Sequence, residues 1–353
     1  MNDGQTYDRQ QITQEEVLLD VRNLKKYFPI HKGFLRREVG SVRAVDDVSF
    51  KIYKGETVSL VGESGCGKTT ISRCIVRALD PTSGEISYSG EDRDPVDLAT
   101  ISQSSFRSFR KEIQMIFQDP FSSLNPRMTI FEIIGEPLLV NNLGNREERQ
   151  TRVSELLSEV GLPQEYMQRF PHAFSGGQRQ RIGIARALAP QPRLIIADEP
   201  VSGLDVSVQA QVINLMMDLQ DRFELTYLFV SHDLSVVNQI SDRVIVMYVG
   251  KIVETGPPQE LFKNPKHPYT AALISSLPKP DPAQRTAREA LEGEIANPAS
   301  PPQGCYFHPR CPFAVEICKT EAPELKEIKP GRHVSCHRAE ELSLEGIPSI
   351  NEN

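Results

Sequence analysis

The run Gly62-Glu63-Ser64-Gly65-Cys66-Gly67-Lys68-Thr69, followed by Thr70, has the composition of a loop that grips phosphate. Its glycines let backbone N–H groups turn toward an anion, and the helix it opens adds positive potential at its N-terminus. In this pattern Lys68 is expected to reach the β- and γ-phosphates of ATP, and the Thr69 hydroxyl to ligate Mg2+. A second turn, Ser175-Gly176-Gly177-Gln178, repeats the logic with a serine hydroxyl, glycine N–H groups and a helix start. Taken alone it reads as a helix cap. It cannot reach a nucleotide that its own P-loop already cradles, so beside a P-loop it is expected to cap ATP held by a second copy of the domain. That arrangement suits a motor subunit better than a small-molecule kinase.

Further along, Arg193-Leu194-Ile195-Ile196-Ala197-Asp198-Glu199 is an apolar run ending in two carboxylates. Such a strand delivers Asp198 to its C-terminal end, where it can hold Mg2+ through water. Glu199 is then placed to orient or deprotonate an attacking water. A carboxylate beside a triphosphate is repulsive, so its presence suggests hydrolysis rather than binding alone. Six cysteines complete the inventory, with Cys66 and Cys74 in the nucleotide region and Cys305, Cys311, Cys318 and Cys336 near the C-terminus. The last four lack the close CxxC pairs of common zinc sites. Widely spaced thiolates can hold an iron–sulfur cluster. Zinc, with His308, His333 and His337 as alternative ligands, or free structural thiols would also fit.

These groups need strands that end at them. Thr57-Val58-Ser59-Leu60-Val61 is a short apolar run leading into the glycine-rich loop, and Thr69 to Leu79 is predicted as the helix behind it. Arg152 to Val160 is predicted helical because Val153, Leu156, Leu157 and Val160 recur at helical spacing, as do Val212, Leu215, Met216 and Leu219. Leu194–Ala197 and Leu228–Val230 are continuous apolar runs, as in parallel strands covered on both faces. The expected fold class is α/β, a P-loop NTPase core followed by a small irregular Cys-rich C-terminal unit. The expected boundaries are a disordered 1–16, an ATP-binding domain over 17–268, and a linker and Cys-rich unit over 269–353. Pro278 to Ala287 reads as the linker, and the residues from about 290 are expected to need a metal or a neighbour for order.

Composition narrows the setting. The 353 residues carry 40 basic and 47 acidic side chains, a net charge of −7, which disfavours a nucleic-acid binder relying on a broad basic face. Runs such as Val244–Val249 fall far short of the roughly 20 apolar residues that cross a bilayer. Met1 to Gln11 is polar and lacks a signal-peptide apolar region. The chain itself is expected to be cytosolic, with any membrane role supplied by partners.

The P-loop, the Ser175 turn and the Asp198-Glu199 strand together resemble the ATP-binding subunits of ABC transporters, over about residues 17–262. The resemblance implies an ABC-type nucleotide-binding domain and a set of further roles. Tyr27 falls where an aromatic stacks on adenine, and Gln118 where a glutamine senses Mg2+ and the γ-phosphate side. Asp205, in Ser202-Gly203-Leu204-Asp205, falls in the loop that faces the partner across the dimer. His232, in Ser231-His232-Asp233, falls where a switch histidine contacts the γ-phosphate. The motif preceding Gly176 departs from the usual leucine at Phe174. Pro120-Phe121-Ser122-Ser123-Leu124-Asn125-Pro126-Arg127, Lys266-His267-Pro268-Tyr269-Thr270 and the cysteine-rich tail are similar to bacterial dipeptide/oligopeptide permease ATPases, the second or F-type member of the pair. This implies a 4Fe–4S cluster on the four tail cysteines, a second homologous ATPase subunit, two membrane permease subunits and an extracytoplasmic substrate-binding protein. Phe121 to Arg127 is then the expected socket for a membrane-subunit helix. Nickel and glutathione importers share much of the pattern. A soluble ABC-type ATPase acting on nucleic acid or ribosomes is the rival reading, opposed by the single P-loop, the absence of sustained heptads and the acidic balance.

Overall fold

A computed structural model of the chain describes residues 16–33, 37–90, 94–276 and 293–346. The segment expected to be disordered, 1–16, lies outside these residues except for its last position, and the expected linker Pro278–Ala287 lies wholly outside them.

Two sheets carry the fold. β1 (Val17–Lys32) and β2 (Arg37–Tyr53) pair antiparallel, β3 (Thr57–Val61) runs into the P-loop, and β4 (Ser83–Tyr88) and β5 (Val96–Asp97) complete a small sheet in the order β2-β1-β4-β5. The large sheet takes β6 (Ile113–Ile116), β7 (Leu194–Asp198), β8 (Thr226–Val230), β9 (Arg243–Tyr248), β10 (Lys251–Gly256), β11 (Lys326–Lys329) and β12 (Arg332–Val334). Its order is β11-β12-β10-β9-β3-β8-β7-β6. The five strands from β9 to β6 are parallel, and the other three are antiparallel to their neighbours. Every residue of β3, β7 and β8 is buried, as the unbroken apolar runs predict. Each Leu or Ile so buried contributes about 1.5–3 kcal/mol. Parallel strands place their C-terminal ends on one edge, where β3, β7 and β8 deliver the loops of the site.

The helices agree with the expected periodicity and differ at their ends. The helix after the P-loop spans Lys68–Ile75 and stops four residues before Leu79, because Arg77 adopts a left-handed backbone (φ 54) that closes the last turn. The helix predicted over 152–160 begins earlier, at Arg146, where Asn145 and Glu148 form a reciprocal capping box. Together with Ile130–Val140 and Gly176–Leu188 it buries Ile134, Val153, Leu157 and Ile182 in one apolar cluster.

Beyond residue 290 the sequence shows little periodicity, yet this segment is joined closely to the core. The β11–β12 hairpin extends the large sheet, with Val334 opposite Glu254 and His333 opposite Thr255. Arg332 lies fully buried against Glu254 at 2.9 Å, and the same carboxylate accepts the backbone N–H groups of Lys266 and His267 at 2.9 Å each. Removing one partner of such a buried pair costs about 3–5 kcal/mol. Phe307, also buried, packs with Tyr248 and Tyr269 in an apolar cluster shared by the core and the tail.

Candidate functional site

The P-loop follows β3 and wraps the start of helix Lys68–Ile75. Gly62 (φ 148) and Gly67 (φ 109) have backbones that other residues rarely adopt. A Cβ on Gly62 would sit 2.2 Å from the Met247 carbonyl, and one on Gly67 2.2 Å from the Ala44 carbonyl, so both positions require glycine. Cys66, Gly67 and Lys68 are buried, whereas Ser64 and Gly65 are exposed at the tip and Thr69 and Thr70 are half-buried. Lys68 Nζ donates to the carbonyls of Gly62 (2.7 Å) and Glu63 (3.1 Å), so its ammonium lies inside the loop. Burial pushes the Cys66 thiol up, and it acts as a small apolar residue.

The loop meets β7 through one hydrogen bond: Thr69 Oγ1 donates to Asp198 Oδ1 at 3.0 Å. Burial raises the Asp198 carboxyl above its ordinary range, the Thr69 hydrogen bond lowers it, and the neighbouring Glu199 charge raises it again. A divalent cation held by Thr69 and Asp198 would relieve that penalty, so the pair fits Mg2+. Glu199 sits in the left-handed region (φ 49), with its N–H donating to the Val230 carbonyl at 2.9 Å. For a glutamate this backbone is strained, a cost typical of functional turns. Its Oε2 accepts from Gln118 Nε2 at 2.8 Å and lies 3.2 Å from His232 Nδ1. Residues from the ends of β6, β7 and β8 therefore converge on one carboxylate, beside the Thr69–Asp198 pair.

Ser175 caps helix Gly176–Leu188 in a reciprocal box with Gln178, and the serine is exposed. A Cβ on Gly177 would meet Val208 Cγ1 at 2.4 Å, so the glycine lets this turn pack against helix Val206–Phe223. Asp205 caps that second helix, accepting from Val208 N–H at 3.0 Å and the Ser207 hydroxyl at 2.7 Å. The Ser207 hydrogen bond leads in holding its carboxyl below the usual range. Phe174, the departure from the usual leucine, is buried and packs edge-on against Tyr166.

Tyr27 lies on β1, half-buried, with its hydroxyl donating to Asp46 Oδ1 at 2.5 Å. The Tyr306 hydroxyl donates to the other oxygen of Asp46 at 2.8 Å. Burial would raise the Asp46 carboxyl, but the two tyrosines, Lys251 and Arg43 together hold it below its ordinary range. Arg310 pairs with Glu63, and the Tyr269 hydroxyl accepts the Glu63 N–H at 2.8 Å. Asp46, Tyr269, Tyr306 and Arg310 were given no role in the site by the sequence, although Tyr269 lies in the Lys266–Thr270 motif. Arg310 stands between Cys305 and Cys311, where nothing in its spacing points to Glu63.

Cys305, Cys311, Cys318 and Cys336 line one recess, with His267, Phe307, His308 and His337 also on its walls. Burial pushes the Cys305 and Cys311 thiols up to about 11 and raises Cys336 as well, with neighbouring thiols adding to the effect. Among the described residues, no group of three or more His, Cys, Asp or Glu side chains is arranged to hold a metal ion. No described helix is long and apolar enough to cross a membrane.

Known proteins match both parts of the chain. Residues 45–202 match the ABC transporter family, and residues 253–318 match the C-terminal region of oligopeptide/dipeptide transporters. The chain is 56% identical over 326 residues to the oligopeptide transport ATP-binding protein AppF of Bacillus subtilis, covering 92% of this chain and 98% of that protein. It is 46% identical over 329 residues to the di/tripeptide transport ATP-binding protein DppF of Pseudomonas aeruginosa, covering 93% and 99% respectively. Among solved structures, a dimeric ATP-binding cassette in a post-hydrolysis state with ADP and Pi is similar, with a TM-score of 0.60 and 28% identity over 68% of this chain and 99% of that one. A loop that can cradle phosphate, a hydroxyl–carboxylate pair that fits Mg2+, a carboxylate gathered by Gln118 and His232, and two matched regions along one chain lead to one assignment: the chain belongs to the ATP-binding subunits of the oligopeptide/dipeptide ABC transporters.

Proposed function

We propose that this chain hydrolyses ATP to drive the import of dipeptides and oligopeptides, at the cytoplasmic face of the membrane. The observation that carries the reading is the meeting of Gln118 and His232 on Glu199, next to Thr69 and Asp198. In this reading Lys68 and the loop from Gly62 to Thr70 hold the triphosphate, and Tyr27 stacks on adenine. Mg2+, held by Thr69, Asp198 and Gln118, supplies charge neutralisation at the phosphates. Glu199 takes the proton of the attacking water, while His232 holds the carboxylate and the γ-phosphate side in register. Ser175, Gly176, Gly177, Gln178 and Asp205 act on ATP bound by a second, homologous subunit. Two permease subunits dock near Phe121–Arg127, and a substrate-binding protein joins through them. The peptide cargo is supported by what the relatives' names say of those proteins.

The chain is proposed to divide at about 268 into an ATP-binding domain and a Cys-rich C-terminal region over 269–353. The four cysteines, which line one recess, are proposed as ligands of a 4Fe–4S cluster. A cluster spreads its irons toward ligands that need not surround one point. Its role is structural, because none of its ligands belongs to the hydrolytic constellation.

The test is transport in vesicles holding this chain, its partner ATPase, both permeases and the binding protein. Labelled di- and oligopeptides should accumulate only with ATP. Accumulation of nickel or glutathione, with peptide uptake absent, would overturn the peptide cargo and leave the ATPase reading in place.

A further inference from the structure

Arg310 and Glu63 are 247 residues apart in sequence, yet their side chains form a two-point pair: Nη1 to Oε2 at 2.8 Å and Nη2 to Oε1 at 3.1 Å. The Arg310 side chain is only 4% exposed and lies near the rings of Tyr248 and Phe307, 5.8 and 6.0 Å from their centroids. A planar guanidinium so enclosed has one orientation to offer, which suits a bidentate grip. Glu63 is held a second time, through its N–H, by the Tyr269 hydroxyl. Its carbonyl, in turn, accepts from Lys68 Nζ. The residue that the tail and helix Pro268–Ser275 pin is therefore one that positions the P-loop lysine.

Charge gives this contact a purpose. Glu63 is the second residue of a loop that must receive a polyanion, and an unpaired carboxylate there would repel it. In the same tail turn, Tyr306 shares Asp46 with Tyr27. We propose that Arg310 is a positioning residue for ATP: it neutralises Glu63 and fixes the loop around Lys68, making the Cys-rich tail part of the nucleotide site. The inference rests on the nucleotide reading of the P-loop given above.

Steady-state ATPase kinetics of the assembled complex test it, together with ATP binding by the full-length chain. Arg310→Gln should raise KM for ATP about tenfold and leave kcat within about twofold, a loss of about 1.4 kcal/mol in binding. Adding Glu63→Gln to Arg310→Gln should recover most of that loss, because no carboxylate remains to be neutralised. Arg310→Lys should recover it in part, keeping the charge without the fork. A purely structural role for Arg310 predicts no rescue by Glu63→Gln, and that result would overturn the inference. An unchanged KM in Arg310→Gln would overturn it as well, while leaving the ATPase reading intact. A wild-type complex that binds no ATP would overturn both.

Discussion

At the scale of single residues, Glu199 carries the most consequence. Its strained backbone is held by the Val230 carbonyl, and its carboxylate is shared by Gln118 and His232. Glu199→Gln keeps the shape and removes the base, so ATP should still bind while hydrolysis slows by a factor of about 10² or more. Near-normal turnover in the purified variant complex would remove Glu199 from that role. His267 makes a different prediction. It is fully buried, and its Nδ1 accepts the Tyr269 N–H at 3.1 Å, capping helix Pro268–Ser275. Burial lowers its pKa from 6.5 to about 3. Below about pH 6.5 the unfolded chain takes a proton that the folded chain refuses, so this group costs stability as pH falls from about 6.5 toward 3. The slope from His267 alone is at most about 1.4 kcal/mol per pH unit. His267→Asn keeps a cap acceptor and cannot titrate there. Between pH 7 and 5 the wild-type urea midpoint should therefore fall more steeply than that of the variant, and parallel slopes would clear His267 of the effect.

At the scale of elements, legibility followed the distance over which each signal acts. The P-loop and the Asp198-Glu199 pair were readable because strand, turn and chemistry lie within a few residues of each other. Asn145-x-x-Glu148 was equally local, and attending to it would have moved the helix start from Arg152 to Arg146. Gln118 and His232 gave no local sign of their role, since either could end a strand as an ordinary polar residue. Only the resemblance singled them out, and the geometry brings both to Glu199. The tail was the hardest part. Its apolar residues are few and aperiodic because Phe307 completes a cluster already built by Tyr248 and Tyr269, and β12 borrows its partner from β10. A segment that relies on residues elsewhere in the chain for its core leaves no period of its own. The proposed 4Fe–4S cluster on Cys305, Cys311, Cys318 and Cys336 would add a local constraint there. Anaerobically purified chain should carry about four irons, as a 4Fe–4S cluster requires. Zinc in place of iron, or no metal under anaerobic handling, would remove the cluster.

At the scale of the whole molecule, one subunit makes half of each proposed catalytic unit. Ser175 is exposed and hydrogen-bonds within the capping box of its own helix, and Asp205 caps the neighbouring helix. Their proposed target is ATP on another subunit. Ser175→Arg should leave ATP binding by the isolated chain nearly unchanged and stop hydrolysis in the assembled complex. Loss of binding in the isolated chain would instead assign Ser175 to its own site or to the fold. The β12 strand has a consequence of another kind, concerning how the chain is made. It covers the outer edge of β10, and its Arg332 lies 78 positions after Glu254. At a ribosomal rate of about 5–20 residues per second, β10 waits about 4–16 s for that cover. Throughout the interval a finished ATPase sheet presents a bare row of N–H and C=O groups, which any extended segment of a neighbouring nascent chain can join. A chain terminated before Arg332 would keep that edge permanently and stack with its own kind, so the penalty for losing the last strand falls on solubility before it falls on catalysis.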